Sequence, residues 1–163
     1  MPRLSLILVC LAPLACGHAL PPSAPNPMLG KSVSLSLPTD DGALVTLPVA
    51  GARVTVVDFF SPTCEPCKVK VPELVAREGE IRARGGQLVL VAVLAADEPS
   101  DAARAALASW GVTHAFLVDN GSASRTGVGV DALPATLVLD AQGTLAWSAP
   151  ATAAVEDVLA AVR

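Results

Sequence analysis

Tyrosine is absent from the 163 residues, and aromatic side chains together make up 3 % of them. Stacking platforms for bases or sugars therefore cannot be assembled. Charge is sparse as well: 16 % of positions carry it, with 11 Lys and Arg against 15 Asp and Glu for a net charge of −4. No basic run is available to neutralise successive phosphates, which sets nucleic-acid binding aside. Histidine occurs only as His18 and His114, so a zinc site built around one cysteine pair would lack its second pair of ligands. Internal repeats are missing too. What the chain has instead is apolar material, 52 % of its residues, in a length that suits one domain with one compact core. It also has four cysteines, Cys10, Cys16, Cys64 and Cys67, the most informative feature of the composition.

Residues 1–15 read as a signal peptide and not as part of the fold. Arg3 is followed by an apolar run from Leu4 to Ala15, roughly a dozen residues where a membrane span needs about 18. Two processing sites compete at its end. Leu14-Ala15-Cys16-Gly17 resembles the lipobox at which bacterial lipoproteins are cut before a cysteine that then carries lipid, although Pro13 departs from the usual aliphatic residue. Gly17-His18-Ala19 offers ordinary signal peptidase its small residues two apart. An uncleaved anchor is the third outcome. Each places the domain outside the cytoplasm: a periplasmic lipoprotein tethered through Cys16 is the leading expectation, a soluble periplasmic or secreted form the next. Loss of the leader removes Cys10 and Arg3, leaving 10 basic against 15 acidic side chains, a charge of −5. Such a domain is not drawn to an anionic membrane surface, so lipid would have to anchor it. Cys64 and Cys67 remain as the working pair.

Residues 16–29 contain a Pro-rich stretch without periodicity and read as a tether, which leaves 30–163 as the folding unit. Val33 to Leu37 alternates with period two, Asp40-Asp41-Gly42 supplies turn chemistry and Leu44 to Leu47 is β-rich, predicting a hairpin. Val54 to Phe60 is a nearly continuous apolar run, as expected of a central strand covered on both faces. Cys64 to Arg84 shows helical spacing at Val71, Leu74, Val75 and Ile81, with a kink expected at Pro72 and a stop at Gly85-Gly86. Leu88 to Leu94 and Ala115 to Val118 read as further buried strands, with a helix between them carrying Ala103, Ala106, Leu107 and Trp110 and closed by Gly111. The stretch from there to Val130 reads as a Gly- and Ser-containing connection. Ala135 to Leu139 and Thr144 to Trp147 flank the turn Asp140 to Gly143, and a last helix, capped by Thr152, presents Val155, Val158, Leu159 and Val162 on one face. Strands alternating with helices and ending in a hairpin predict an α/β sandwich around a mixed sheet.

Cys64-Glu65-Pro66-Cys67 stands at the start of the first predicted helix. That spacing brings two sulfurs close enough for a disulfide to open and close with little backbone motion, and the positive helix end favours the thiolate of the first. Cys64 is then the attacking nucleophile of thiol–disulfide exchange and Cys67 the resolving thiol. A purely structural bridge closing so small a loop would restrain the unfolded chain little. Covalent haem attachment needs His after the second cysteine, where Lys68 stands. Glu65 puts a carboxylate beside Cys64, which opposes its thiolate and lowers the reduction potential, favouring a reductase over an oxidase.

The segment Val57-Asp58-Phe59-Phe60-Ser61-Pro62-Thr63-Cys64-Glu65-Pro66-Cys67-Lys68, with Pro72 downstream, resembles the active-site segment of thioredoxin-fold proteins. Leu133-Pro134 before Ala135 resembles their cis-proline loop, and the leading hairpin, export signal and Asp140-to-Thr144 turn are similar to the TlpA/ResA branch of membrane-tethered disulfide reductases. The resemblance implies a thioredoxin-like three-layer sandwich with a mixed central sheet and an added N-terminal β-hairpin. It implies no cofactor beyond a redox-active Cys64–Cys67 disulfide and no metal, protein thiols or disulfides as substrates, and a membrane thiol carrier as electron donor. Asp58 matches the family's buried acid, whose pKa burial would raise so that it takes the Cys67 proton; the alternative is an Asp at a strand edge. Pro134 matches the residue whose loop offers a backbone edge to a substrate chain. Cys-Glu-Pro-Cys, with Glu65 and Pro66 tuning the couple, is similar to the ResA-type reductases that keep apocytochrome c thiols reduced. Thr63 stands where most of the family has Trp, and Ala135 where Thr is commoner. Two other readings are a Sco-like copper-binding chaperone, which would want one more residue between the cysteines and a partnering His, and a peroxiredoxin-like peroxidase, which would want Thr at the position of Ser61.

Overall fold

The computed structural model describes residues 25–149 and 152–163. The predicted signal peptide, Cys10, Cys16 and most of the tether lie outside them. Seven strands and five helices follow in the described residues: β1 (Leu35–Pro38), β2 (Leu44–Leu47), β3 (Val54–Phe60), α1 (Cys67–Ala76), α2 (Glu78–Ala83), β4 (Gly86–Val93), α3 (Ser100–Ser109), β5 (Phe116–Asp119), α4 (Ala123–Val128), β6 (Ala135–Asp140), β7 (Leu145–Ala149) and α5 (Val155–Ala161). The main sheet has the order β5-β4-β3-β6-β7. β3 pairs in parallel with β4 and antiparallel with β6, so the sheet is mixed and β3 is central. All seven residues of β3 are buried, which is why its sequence is almost unbroken by polar side chains.

The pleat of β3 distributes its residues between two cores. Val54, Val56 and Phe60 face α1, α2, α3 and α5, whereas Val57 and Phe59 face the opposite side. That opposite side is covered by the β1–β2 hairpin and α4, through Leu35, Leu37, Leu47 and Val128. The result is a thioredoxin-like α/β sandwich whose third layer includes the added N-terminal hairpin. The aromatic residues are consumed in the core, Phe60 standing edge-on to Trp110 and Phe116.

Four local features differ from the expectations. The segment predicted as one kinked helix forms two, α1 containing Pro72 and α2 beginning after Arg77. The interruption falls beyond the proline, where Arg77 takes a non-helical conformation (φ −98°, ψ 6°) and Gly79 weakens continuation. The helix also starts at Cys67 and not at Cys64. The connection before Val130 contains α4, hidden from propensity by Gly127 within it and Gly121 and Gly129 beside it; the Asp119 carboxylate accepts from the N–H groups of Gly121, Ala123 and Ser124 at one end, and Asn26 Nδ2 donates to the carbonyls of Val128 and Gly129 at the other. At α5 the N-cap is Ala154, not Thr152, and the Asp157 carboxylate accepts from the Ala154 N–H. Asn26, placed in the tether by composition, is thus held to the domain, Met28 packs against the hairpin-side core, and Gly30 N–H donates to the Leu145 carbonyl.

Candidate active site

β3 ends at Phe60 and the chain turns through Ser61-Pro62-Thr63 into Cys64. Cys67 N–H donates to the Cys64 carbonyl and Lys68 N–H to that of Glu65, forming a tight turn that runs straight into α1. Pro66 is the N-cap residue; its ring fixes φ at −64°, a value the helix accepts. Cys64 and Cys67 form a disulfide with Cα atoms 5.3 Å apart. The two sulfurs are not equivalent: Cys67 is 0 % exposed inside the core cluster, while Cys64 is partly exposed against its edge.

Asp58 lies on the face of β3 shared with Val56 and Phe60, the face on which Cys67 is packed, and is 0 % exposed. The strand-edge alternative is thereby excluded, since β3 is paired on both sides at that residue, with Leu90 and with Thr136. Thr136 Oγ1 donates to Asp58 Oδ1 at 2.5 Å. The other carboxylate oxygen, Oδ2, has no hydrogen-bond partner. Burial pushes Asp58 up from 3.8 to about 6, against the opposing pull of the Lys70 ammonium and the Thr136 hydroxyl.

Lys70 belongs to the site although the sequence reading did not single it out. It is 7 % exposed, with Nζ 4.0 Å from Asp58 Oδ1 and without a hydrogen-bond partner. Burial lowers its pKa and Asp58 partly restores it. One signal was available: α1 buries Cys67, Lys70, Val71 and Leu74, an i, i+3, i+4, i+7 stripe in which a lysine is out of place. Thr136 was missed because its position opposite Asp58 depends on the β3–β6 register.

The remaining named residues fall around this centre. Leu133-Pro134 is a cis peptide bond, as is Leu47-Pro48. β6 runs antiparallel to β3 with Ala135 opposite Phe59, so Pro134 lies at the end of the sheet from which the Cys64 turn departs. Glu65 is exposed and paired with Lys68 at 2.7 Å, both at the surface. His114 precedes β5 beside Glu78, at 3.7 Å. Because β3, β4 and β5 are parallel, His114 is at the opposite end of the sheet from Cys64. Among the described residues no group of three or more His, Cys, Asp or Glu could hold a metal.

The sequence profile that matches this chain is that of Redoxin, over residues 23–161. The chain belongs to the Redoxin family. A solved structure from Chlorobium tepidum assigned to thiol:disulfide interchange protein DsbE is 26 % identical to this redoxin, covers 83 % of it and 98 % of its own chain, and superposes with a TM-score of 0.66. StoA from Bacillus subtilis (15 % identity, 82 % and 99 % coverage, TM-score 0.65) and a DsbF homologue from Corynebacterium diphtheriae (20 %, 80 % and 83 %, TM-score 0.65) share the fold. No curated protein matches. With the Cys64–Cys67 disulfide in place, this redoxin is a thiol-disulfide oxidoreductase of the thioredoxin type, a class that acts on protein thiols.

Proposed function

We propose that this redoxin is an extracytoplasmic protein disulfide reductase. Its Cys64 thiolate attacks a substrate disulfide, forming a mixed disulfide and releasing one substrate thiolate. Cys67, having lost its proton to Asp58, then attacks Cys64 Sγ, releases the second thiolate and leaves the Cys64–Cys67 disulfide. Two electrons pass from the cysteine pair to the substrate, and a membrane thiol carrier returns them. Pro134 lends its loop as a backbone edge for the substrate chain. The observation that carries this reading is the unequal burial of the two cysteines on the side of the sheet that holds a buried carboxylate: the partly exposed Cys64 can be reached by a partner, and the buried Cys67 is left to meet Cys64.

Glu65 supports the reducing direction by disfavouring the Cys64 thiolate, although its pairing with Lys68 at the surface screens that field. Export rests on the leader and on the lipobox-like Leu14-Ala15-Cys16-Gly17. Cys-Glu-Pro-Cys supports apocytochrome c as the substrate to test first. Replacing Cys67 by Ser and trapping partners in extracytoplasmic extracts should freeze mixed disulfides on Cys64, with c-type apocytochromes among the captured proteins. A Cys64 that captures nothing and alkylates no faster than free cysteine would remove the proposal.

A further inference from the structure

We propose that Lys70 is a positioning residue of the redox centre, its buried ammonium holding Asp58 as the carboxylate that receives the Cys67 proton. This rests on the exchange reading above and adds to it a residue from the helix itself. The geometry is unusual for a lysine, whose long stem ordinarily carries the charge out to water. Here the stem runs inward from the core-facing stripe of α1 and ends 4.0 Å from Asp58 Oδ1, with neither Nζ nor Asp58 Oδ2 hydrogen-bonded to anything else. Two buried groups of opposite charge, each with an unfilled hydrogen-bonding position, lie on the side of the sheet that buries Cys67, and Lys70 shares the buried stripe of α1 with that cysteine.

The surroundings leave few other groups to set that charge. Asp58 is flanked in the sheet by Leu90 of β4 and by Thr136 of β6, whose hydroxyl donates to it, and the cluster on this face of the sheet includes the apolar Val138 of β6, Leu107 of α3 and Val158 of α5. Among the described residues the buried charged side chains are Asp58, Lys70 and Asp119, of which Lys70 pairs with Asp58, and Cys67 and, at the edge, Cys64 are the thiols of this cluster. An isolated carboxyl in such a place would stay protonated through neutral pH and be useless as a base. A cation at this distance lowers a carboxyl's pKa by about one to three units, which returns it to the ionised form.

The test uses the reduced full-length protein and a coloured aromatic disulfide that liberates thionitrobenzoate. Attack by Cys64 releases the first thionitrobenzoate and leaves the second bound to Cys64. The second is released when Cys67 gives up its proton to Asp58 and attacks Cys64 Sγ, so the two phases report the two cysteines separately. In Lys70→Met the acid limb of the second phase should move about one to three pH units upward. Its rate at pH 7 should fall about tenfold and converge on that of the unsubstituted protein in alkaline solution, while the first phase stays within about twofold. Lys70→Gln, checked for cooperative unfolding alongside, should do the same. An unchanged acid limb in either folded variant, or a loss equal at every pH, would overturn the role given to Lys70. Absence of a Cys67-dependent second phase in the unsubstituted protein would instead bring down the exchange reading, and this proposal with it.

Discussion

Asp58 is the residue on which stability and the proposed chemistry pull in opposite directions. Its folded pKa of about 6 lies above its ordinary 3.8, so the folded protein binds the proton more tightly than the unfolded chain does. The stability this confers is fully present below about pH 4 and is lost as pH rises through 6. The window is separate from that of Asp119 and Asp140, whose pKa values are held below 3.8 and whose contribution fades only as the pH falls further. The disulfide form should therefore lose about 2 kcal/mol between pH 4 and pH 7 through this one carboxyl. Urea unfolding of the oxidised protein across that range should show the decline, and Asp58→Asn should flatten it; a parent curve already flat would contradict the assignment. The acid was legible in the sequence because an Asp interrupts an otherwise apolar strand. Lys70 and Thr136 were not, since a lysine on a helix ordinarily reaches solvent and the threonine's partner is set by a strand 78 residues away.

At the scale of elements, α4 shows how side chains far from the helix sequence decide its existence. Its glycine content argues against a helix, yet Asp119 collects three backbone N–H groups and the Ser124 hydroxyl at its start, and Asn26 closes its end. Burial alone would raise the Asp119 pKa; the bonds from Ser124, Gly121 and Ala123 outweigh it and hold the carboxyl below the usual range. Charged acceptors of this kind contribute about 1.5–3 kcal/mol per bond. Asp119→Ala should lower the stability at pH 7 by about 2–4 kcal/mol, with amide exchange accelerated first in 123–128, whereas unaltered exchange there would show that α4 holds without its cap. The strands and the outer helices were legible from periodicity, as β3, β4 and α3 demonstrate. The split at Arg77 and the cap of α5 were not, because both depend on conformations that neighbouring residues impose locally.

At the scale of the whole molecule, the redox centre occupies the end of the sheet where the parallel strands finish, in line with the general placement of sites in α/β folds. The β1–β2 hairpin and α4 cover the face of the sheet opposite α1, α2, α3 and α5. No helix among the described residues is long and apolar enough to cross a membrane. The expectation of lipid on Cys16 rests on the lipobox-like Leu14-Ala15-Cys16-Gly17 and is open to a direct test. Expression of the full chain in a bacterial host with labelled fatty acid should yield a labelled, membrane-associated protein, and Cys16→Ser should abolish the label and release the domain. An unlabelled parent protein retained in the cytoplasm would end the export proposal.

The sequence by itself determined the reactive pair, the central strand, the hairpins and the class of chemistry, because spacing and hydrophobic period are local properties that survive any arrangement of the elements. Only the tertiary structure decided that Cys67 is buried while Cys64 is partly exposed, that Asp58 shares its burial with Lys70 and Thr136, and that Pro134 stands at the same end of the sheet as the disulfide. Those are relations between α1, β3 and β6, and register and burial come into being only when the elements pack.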